Sequence, residues 1–264
     1  MSGSPPRCVV LVEPAGPLNV GSVARLCANF AITDLRLVAP RCDPSDPDAL
    51  RMAVHGRSVL TTARIYPTLL AAVSDCSRVV ATAGRLDHGT IPLGPPELVL
   101  PWAIRGVSQQ PIALVFGRED HGLTNAELLL SQRVITLHSC AAYPSLNLSH
   151  AVAVVLHEIA RLEASAHPTA STDPTANTNP TAKPLHAGPA RPDPEPAGPK
   201  ALEACLNDAE DLLMEVGFLL EHTARARMAK VRGLLQRGLI RSDEVALLRG
   251  MVRQLRWAVR QHRP

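Results

Sequence analysis

Short runs of β-branched and other apolar residues recur through the first half of the chain, separated by stretches with helical spacing. Such runs have the length and composition of buried strands. They cover residues 8–13, 35–39, 78–82, 112–117 and 133–137. Because strands that alternate with helices pack into a sheet covered on both faces, this pattern predicts an α/β fold with a mostly parallel sheet.

Three stretches beside these runs carry apolar residues at helical spacing, over residues 19–31, 124–131 and 148–162. Asn19 is a natural N-cap for the first of them. Thr124 and Glu127 have the spacing of a capping box. These signals predict where the helices that cover the sheet begin.

A proline-rich segment follows the last of these helices. Residues 167–199 contain nine prolines in 33 positions and almost no large apolar residue. Such a segment cannot bury enough apolar surface to offset its ordering entropy, so we expect a semi-extended linker. The predicted organisation is a first domain over 1–165, a linker over 166–200 and a small helical domain over 201–264.

The predicted helical domain has helices near residues 204–220, 223–236 and 242–261, the last capped by Ser242. Residues 222–264 hold 11 basic residues against 2 acidic ones, although the whole chain has a net charge of only +3. This asymmetry indicates a polyanionic partner. Four cations of the last helix fall within a narrow arc and are candidate phosphate contacts, or else a solvated face: Arg249, Arg253, Arg256 and Arg260.

Several functional classes are poorly supported by the sequence. No apolar run approaches the roughly 20 residues that span a bilayer, and the first residues do not resemble a signal peptide, so we expect a cytosolic protein. The six cysteines form no CxxC pair and lack zinc-type histidine spacing, which favours small buried residues over a metal site. The glycine fingerprints of dinucleotide-binding proteins and of P-loop NTPases are absent.

Three loops stand out as candidate ligand sites, at residues 13–25, 115–123 and 143–149. All three come after predicted strands, where open α/β sheets place their ligands, and the third leads into a helix. Glycines in such loops permit a close backbone approach to a ligand, and they suit a plain turn equally well.

Taken together and in this order, the three loops resemble the motifs of a known family. They read NxGxxxR from Asn19 to Arg25, FGRExxGL from Phe116 to Leu123, and SLNLxxA from Ser145 to Ala151. The pattern resembles the SPOUT superfamily of RNA methyltransferases, in the branch of the TrmH-type and TrmJ-type tRNA 2′-O-methyltransferases. The resemblance spans residues 8–162, and residues 212–251 are similar to the TrmJ-type extension.

The resemblance implies a sheet domain that ends in a trefoil knot, a rare exception to unknotted topology. It implies S-adenosylmethionine as the cofactor, a homodimer, and methylation of the ribose at position 32 of the tRNA anticodon loop. An rRNA methyltransferase of the same superfamily and an inactive tRNA-binding protein remain alternatives. The helical domain is then the expected tRNA-binding part.

The resemblance also assigns roles to individual residues. It gives Arg25 the activation of the 2′-hydroxyl, helped by Ser145, Asn147 and Asn19. Since a guanidinium stays protonated in proteins, holding a phosphate and polarising the hydroxyl is an alternative to action as a base. The implied cofactor contacts are Thr82, Ala83, Gly84, Gly117, Leu137, Pro144, Ser145 and Leu146.

Overall fold

The computed structural model describes residues 5–84, 91–105, 109–137, 145–166 and 195–261. Seven strands form one sheet in the order β3-β2-β1-β6-β4-β7-β5, and neighbouring strands are parallel throughout. The strands are β1 (Arg7–Val12), β2 (Asp34–Val38), β3 (Arg64–Tyr66), β4 (Arg78–Thr82), β5 (Leu93–Gly94), β6 (Ile112–Phe116) and β7 (Arg133–Ile135). The predicted α/β fold with a parallel sheet is confirmed.

The central strands are buried on both faces. Every residue of β6 and all of β1 after Arg7 are buried. An unbroken apolar run is what a strand covered by helices on both sides requires, which explains why these segments do not alternate with polar residues.

One face of the sheet is covered by α1 (Pro17–Asn29), α2 (Pro47–Ala53), α3 (Arg57–Thr61), α5 (Pro96–Ile104) and α7 (Leu148–Ala166), with a short 3-10 turn at Val54–Gly56. The opposite face is covered by α4 (Leu69–Val73) and α6 (Asn125–Leu128). Each layer buries its own apolar cluster against the sheet. The two clusters form the core of the larger unit.

Three further helices, α8 (Pro199–Glu215), α9 (Glu221–Arg237) and α10 (Ser242–Gln261), enclose a third apolar cluster. The segment before α8 joins this cluster to the sheet. Glu195 accepts two hydrogen bonds from the guanidinium of Arg78, at 3.0 and 3.2 Å. Arg78 is only 1% exposed, so the ion pair is a buried contact between the sheet and the helices.

The structure corrects two predicted helix caps. Asn19 does not cap α1: the helix begins at Pro17 with Gly16 as N-cap, because proline is pre-organised for the first helical position. Ser242 does not precede α10 but is its first residue, and the Glu244 carboxylate accepts a hydrogen bond from the N–H of Arg241. The predicted capping box of Thr124 and Glu127 is confirmed.

The short edge strands β3 and β5 were not predicted, and α8 begins five residues earlier than expected, at Pro199. Residues 195–200 lie in the predicted linker, yet Glu195 bonds to Arg78 and Ala197 N–H donates to Ile240 O. Residues 167–194 lie outside the described residues. The trefoil knot stays a prediction, since residues 85–90 and 138–144 also lie outside them.

Most of the cysteines occupy the positions expected of small apolar residues. Cys8, Cys27, Cys76 and Cys205 are buried, and Cys42 is half-buried. Within the part of the chain that the structure describes, no helix has the length and apolar character needed to cross a membrane. The same residues contain no group of three or more side chains suited to hold a metal ion.

Candidate active site

The three motif loops meet at one edge of the sheet. β1 pairs with β6, so the first two motif loops leave neighbouring parallel strands. The third motif follows β7, which is joined to β6 through β4 in the same parallel sheet. The chain builds β2 and β3 outward on one side of β1 and then crosses to β4 on the other side. Ligands of open α/β sheets bind at the carboxyl ends of the strands where such a reversal occurs.

Glu119 of the second motif contacts the first motif directly. Its carboxylate accepts hydrogen bonds from the N–H of Ala15 at 3.1 Å and of Gly16 at 3.2 Å, and from Asn19 Nδ2 at 3.2 Å. Partial burial raises the pKa of Glu119, but the donated hydrogen bonds outweigh this and hold it below its ordinary value. An ionised Glu119 therefore lies at the N-terminal end of α1, where a negative charge is favourable.

Asn147 of the third motif completes this contact. Its Nδ2 donates to Asn19 Oδ1 at 3.0 Å. Its Oδ1 accepts from the N–H of Ser149 at 2.9 Å and from the Ser149 hydroxyl at 2.8 Å. The three motifs are thus connected by one directed series of hydrogen bonds that runs from Ser149 through Asn147 and Asn19 to Glu119.

Glycine positions α1 against its neighbours. A Cβ on Gly21 would lie 2.1 Å from the Ala49 carbonyl oxygen, so only glycine allows α2 to approach α1 this closely. A Cβ on Gly56 would lie 2.5 Å from Ala24 O. The glycine of the NxGxxxR motif therefore serves helix packing, and no ligand is needed to explain it.

Arg25 lies apart from the cluster around Asn19. It is exposed, six residues further along α1 and about 120° around the helix from Asn19. In the described part of the chain, no hydrogen bond or ion pair connects Arg25 to Glu119, Asn19 or Asn147. One chain therefore brings Asn19 and Asn147 together but directs Arg25 elsewhere.

The second motif is anchored by the contacts of Arg118. Its guanidinium, with a side chain only 7% exposed, bonds to both carboxylate oxygens of Glu127, at 2.8 and 2.9 Å, and to Glu13. The motif turns back on itself at Gly122, whose φ of +70° favours glycine. A Cβ on Gly117 would lie 2.4 Å from the Gly122 backbone. The backbone of Gly122 therefore already explains why residue 117 is a glycine, and no ligand is needed to explain it.

The remaining residues predicted to bind the cofactor follow β4 and β7. Thr82 donates its hydroxyl to Val115 O at 3.2 Å, and Ala83 N–H donates to Ile135 O at 2.9 Å. Both residues and Leu137 are half-buried, whereas Gly84 is exposed. These residues line the ends of the neighbouring strands β4 and β7.

The third motif presents its side chains to solvent. Ser145 and Leu146 are exposed immediately before α7. Pro144 lies outside the described residues.

The predicted row of cations on α10 is turned largely toward α8. Arg249 Nε lies 2.6 Å from Asp208 Oδ2, Arg256 Nε 3.7 Å from Glu215 Oε2, and Arg260 Nε 3.8 Å from Glu215 Oε1. Arg253 is exposed. Three of the four candidate phosphate contacts therefore have carboxylates of the same chain as partners.

The role of Glu119 was not predicted from the sequence. The residue was visible within the second motif, but its partners Ala15, Gly16 and Asn19 precede it by about a hundred residues. The relevant signal was the adjacency of the strands that precede the two motifs. That adjacency depends on the pairing of β1 with β6, which the strand pattern alone does not specify.

Comparison with known proteins agrees with this arrangement. Residues 6–157 match the model of the SpoU rRNA Methylase family. A tRNA (cytidine-2′-O-)-methyltransferase TrmJ from Methanocaldococcus jannaschii is 39% identical over 158 residues, which are 57% of this chain and 66% of that protein. A tRNA (cytidine/uridine-2′-O-)-methyltransferase TrmJ from Klebsiella pneumoniae is 34% identical over 92% of this chain and 93% of its own.

A solved structure extends the likeness to the whole chain. The crystal structure of TrmJ from Z. mobilis ZM4 superposes with a TM-score of 0.75 at 28% identity, covering 95% of this chain and 99% of that one. The family match over residues 6–157 includes the three motifs whose contacts form the site. The chain therefore belongs to the SpoU methylase family, and it is a methyltransferase that uses S-adenosylmethionine.

Proposed function

We propose that this protein transfers a methyl group from S-adenosylmethionine to the ribose 2′-hydroxyl at position 32, a cytidine or uridine, of the tRNA anticodon loop. The observation that carries the proposal is the contact of Asn19, Glu119 and Asn147, which unites the three motifs at one sheet edge. The relatives that align with most of this chain are tRNA 2′-O-methyltransferases, which supports ribose in tRNA as the substrate. We assign the reaction to the cytoplasm, where this substrate is found.

The residues at the strand ends fit the cofactor. Adenine needs apolar walls and a few backbone hydrogen bonds. Ala83 and Leu137 offer half-buried apolar side chains, and Gly84 exposes backbone without a side chain. We assign the cofactor to Thr82, Ala83, Gly84, Gly117 and Leu137, with Pro144, Ser145 and Leu146 from the third motif. When bound there, the cofactor supplies a methyl group on a positively charged sulfur.

Ribose methylation requires that the 2′-hydroxyl be oriented and polarised. Asn19 and Asn147 are fixed by Glu119 and by the start of α7, and they hold the third motif against the first. We assign to Ser145 and Asn147 the orientation of the ribose. Arg25, as a permanent cation, holds the adjacent phosphate and polarises the hydroxyl, and correct positioning supplies much of the rate.

A homodimer completes this site in our proposal. The surface formed by α1, α5 and α7 exposes Leu18 by 51%, Leu98 by 72% and Val154 by 44%. Large apolar side chains on adjoining helices favour burial against a second copy. Such an interface covers the exposed face of α1, so Arg25 acts on the substrate of the partner subunit.

Sedimentation velocity tests the dimer. We expect the wild-type chain to sediment as a dimer and Val154→Asp as a monomer without methyltransferase activity, because the new charge is buried in the interface. A fully active monomer contradicts the proposal that two subunits form the site.

Nucleoside mapping tests the reaction. The protein is incubated with methyl-labelled cofactor and either unmodified tRNA or rRNA fragments, and the RNA is digested to nucleosides. We expect label in 2′-O-methylcytidine or 2′-O-methyluridine from position 32 of tRNA. Label in a base, or only in rRNA fragments, contradicts the proposal, and binding of tRNA without transfer indicates an inactive binding protein.

A further inference from the structure

The helical domain neutralises many of its cations internally. α8 provides the carboxylates of Asp208, Asp211 and Glu215, which pair with Arg249, Arg256 and Arg260 of α10. Glu203 of α8 pairs with Arg232 of α9. Most of the cations on α10 therefore have carboxylate partners within the domain, and other cations are the stronger candidates for contact with a partner.

The outer face of α9 carries a row of three of the remaining cations. Arg227, Lys230 and Arg237 are all exposed, while Ala224, Met228 and Gln236 of the same helix are buried. At about 100° and 1.5 Å per residue, the three cations lie within an arc of about 80° and extend along about 15 Å. Within the described residues, no ion pair joins any of the three to a carboxylate.

An aromatic side chain continues this row beyond the start of α9. Phe218 is 63% exposed, and the Arg227 guanidinium carbon lies 5.7 Å from the centre of its ring. Arg227 also donates to Phe218 O at 3.0 Å. The cation and the ring are therefore held together at the surface.

The exposure of Phe218 does not arise from a loose chain end. Gly217 has a φ of +75°, and the N–H groups of Phe218 and Leu219 donate to Leu213 O at 2.9 and 3.0 Å. Leu219 is buried in the core of the helical domain. The turn thus buries the side chain of Leu219 and holds the neighbouring Phe218 ring at the surface. A polar side chain would fit at position 218 equally well, so the fold itself does not require an aromatic residue there.

We propose that Phe218, Arg227, Lys230 and Arg237, here called the α9 ridge, bind an unpaired segment of the RNA substrate. The cations contact successive phosphates, and Phe218 stacks on one unstacked base. Exposed aromatic rings beside arginines are typical platforms for single-stranded RNA, and cations spaced along a helix suit its backbone. The proposal rests on the proposed function only in taking RNA as the substrate.

RNA binding by the full-length chain tests the ridge. The double variant Lys230→Gln, Arg237→Gln is compared with Arg225→Gln, which removes an exposed cation from another side of the same helix. Binding of unmodified tRNA is measured between about 50 and about 200 mM salt. We expect the double variant to bind about tenfold more weakly and to lose about 1.4 from the slope of log K against log salt, at about 0.7 for each cation.

Arg225→Gln should retain the wild-type affinity to within about twofold, because its side chain lies outside the ridge. Phe218→Leu should keep the wild-type salt slope but bind tRNA about tenfold more weakly at every salt concentration, because stacking is not an ionic contact. In methyl transfer, the double variant should raise KM and leave kcat and cofactor affinity unchanged. Equal affinities and slopes for the double variant and the wild type overturn the proposal.

The test separates this proposal from the proposed function. If the wild type binds tRNA through the ridge but methylates no ribose, the ridge stands and the assigned reaction fails. If the wild type methylates tRNA while the ridge variants bind and react as it does, the reaction stands and the ridge fails. Binding of an acidic polypeptide in preference to RNA also overturns the ridge as an RNA site.

Discussion

Asn147 uses both ends of its amide. The oxygen accepts from Ser149 at the start of α7, and the nitrogen donates to Asn19. Asn147→Asp keeps the helix cap, since both residues cap well, but replaces the donor with an oxygen that faces Asn19 Oδ1. The contact is exposed to solvent, so its loss should change Tm little. It holds the third motif against the first, so we expect kcat to fall about tenfold as the reacting groups lose their positioning.

A matched substitution shows whether the loss is local. Asn207→Asp makes the same chemical change on the exposed side of α8 and should retain wild-type kcat. Wild-type kcat in Asn147→Asp means that the donation to Asn19 has no part in the reaction.

Gly21 and Gly250 are both helical glycines in different surroundings. A Cβ on Gly21 meets the Ala49 backbone oxygen at 2.1 Å, while one on Gly250 meets nothing within 4 Å. Overpacking against backbone cannot be relieved by a rotamer change, so Gly21→Ala should lower the free energy of unfolding by about 2 kcal/mol. Gly250→Ala should raise it by about 0.5 to 1 kcal/mol through helix propensity. Urea unfolding measures both, and equal effects contradict the packing role of Gly21.

At the scale of elements, the sequence predicted the strands that are buried on both faces. Runs such as that of β6 are recognisable because every position is apolar. β3 could not be found this way, because it is a three-residue edge strand in which Arg64 and Ile65 are exposed. β5 has only two residues, Leu93 and Gly94.

The contacts of the site were less predictable than its motifs. Asn19 was expected to cap its own helix, yet its side chain bonds to Glu119 and Asn147, which are 100 and 128 residues away. Whether residues so far apart in sequence come into contact depends on the order of the strands in the sheet. The sequence could therefore identify the motif residues without showing which of them touch.

Arg118 joins Glu13 of the first motif loop to Glu127 of α6, and the stability that the contact with Glu127 provides should fall in acid. Partial burial raises the pKa of Glu127, but hydrogen bonds from Arg118 and Thr124 outweigh this and lower it from its ordinary 4.5. A carboxyl with a lowered pKa in the fold stabilises it above the unfolded pKa and loses that effect as the pH falls through the folded value. Glu127→Gln should be less stable than the wild type by about 2 kcal/mol at neutral pH.

Urea unfolding at several pH values checks this. The gap between wild type and Glu127→Gln should be constant down to about pH 5 and should narrow as the pH falls below 4.5. A gap that stays constant down to pH values well below 4.5 contradicts an ionised Glu127 as the partner of Arg118.

At the scale of the whole molecule, Arg78 and Glu195 join the sheet to the helical domain. Arg78 is buried and its guanidinium also lies 4.7 Å from the centre of the Trp102 ring. Glu195→Gln leaves this buried cation without a counter-charge, which typically costs about 3 to 5 kcal/mol. We expect faster hydrogen exchange in α8, while exchange in α1 stays unchanged. Unchanged exchange in α8 means that the ion pair does not hold the helices in place.

The proposed role of Arg25, which lies apart from Asn19 within one chain, is to hold the substrate phosphate and polarise the 2′-hydroxyl. The direct test measures methyl transfer to unmodified tRNA by wild type and Arg25→Ala, with cofactor affinity determined by calorimetry on the same samples. We expect transfer to be abolished in Arg25→Ala while the Kd for the cofactor stays within about twofold of wild type. Undiminished transfer, or a loss of cofactor binding that accounts for the lost activity, contradicts it.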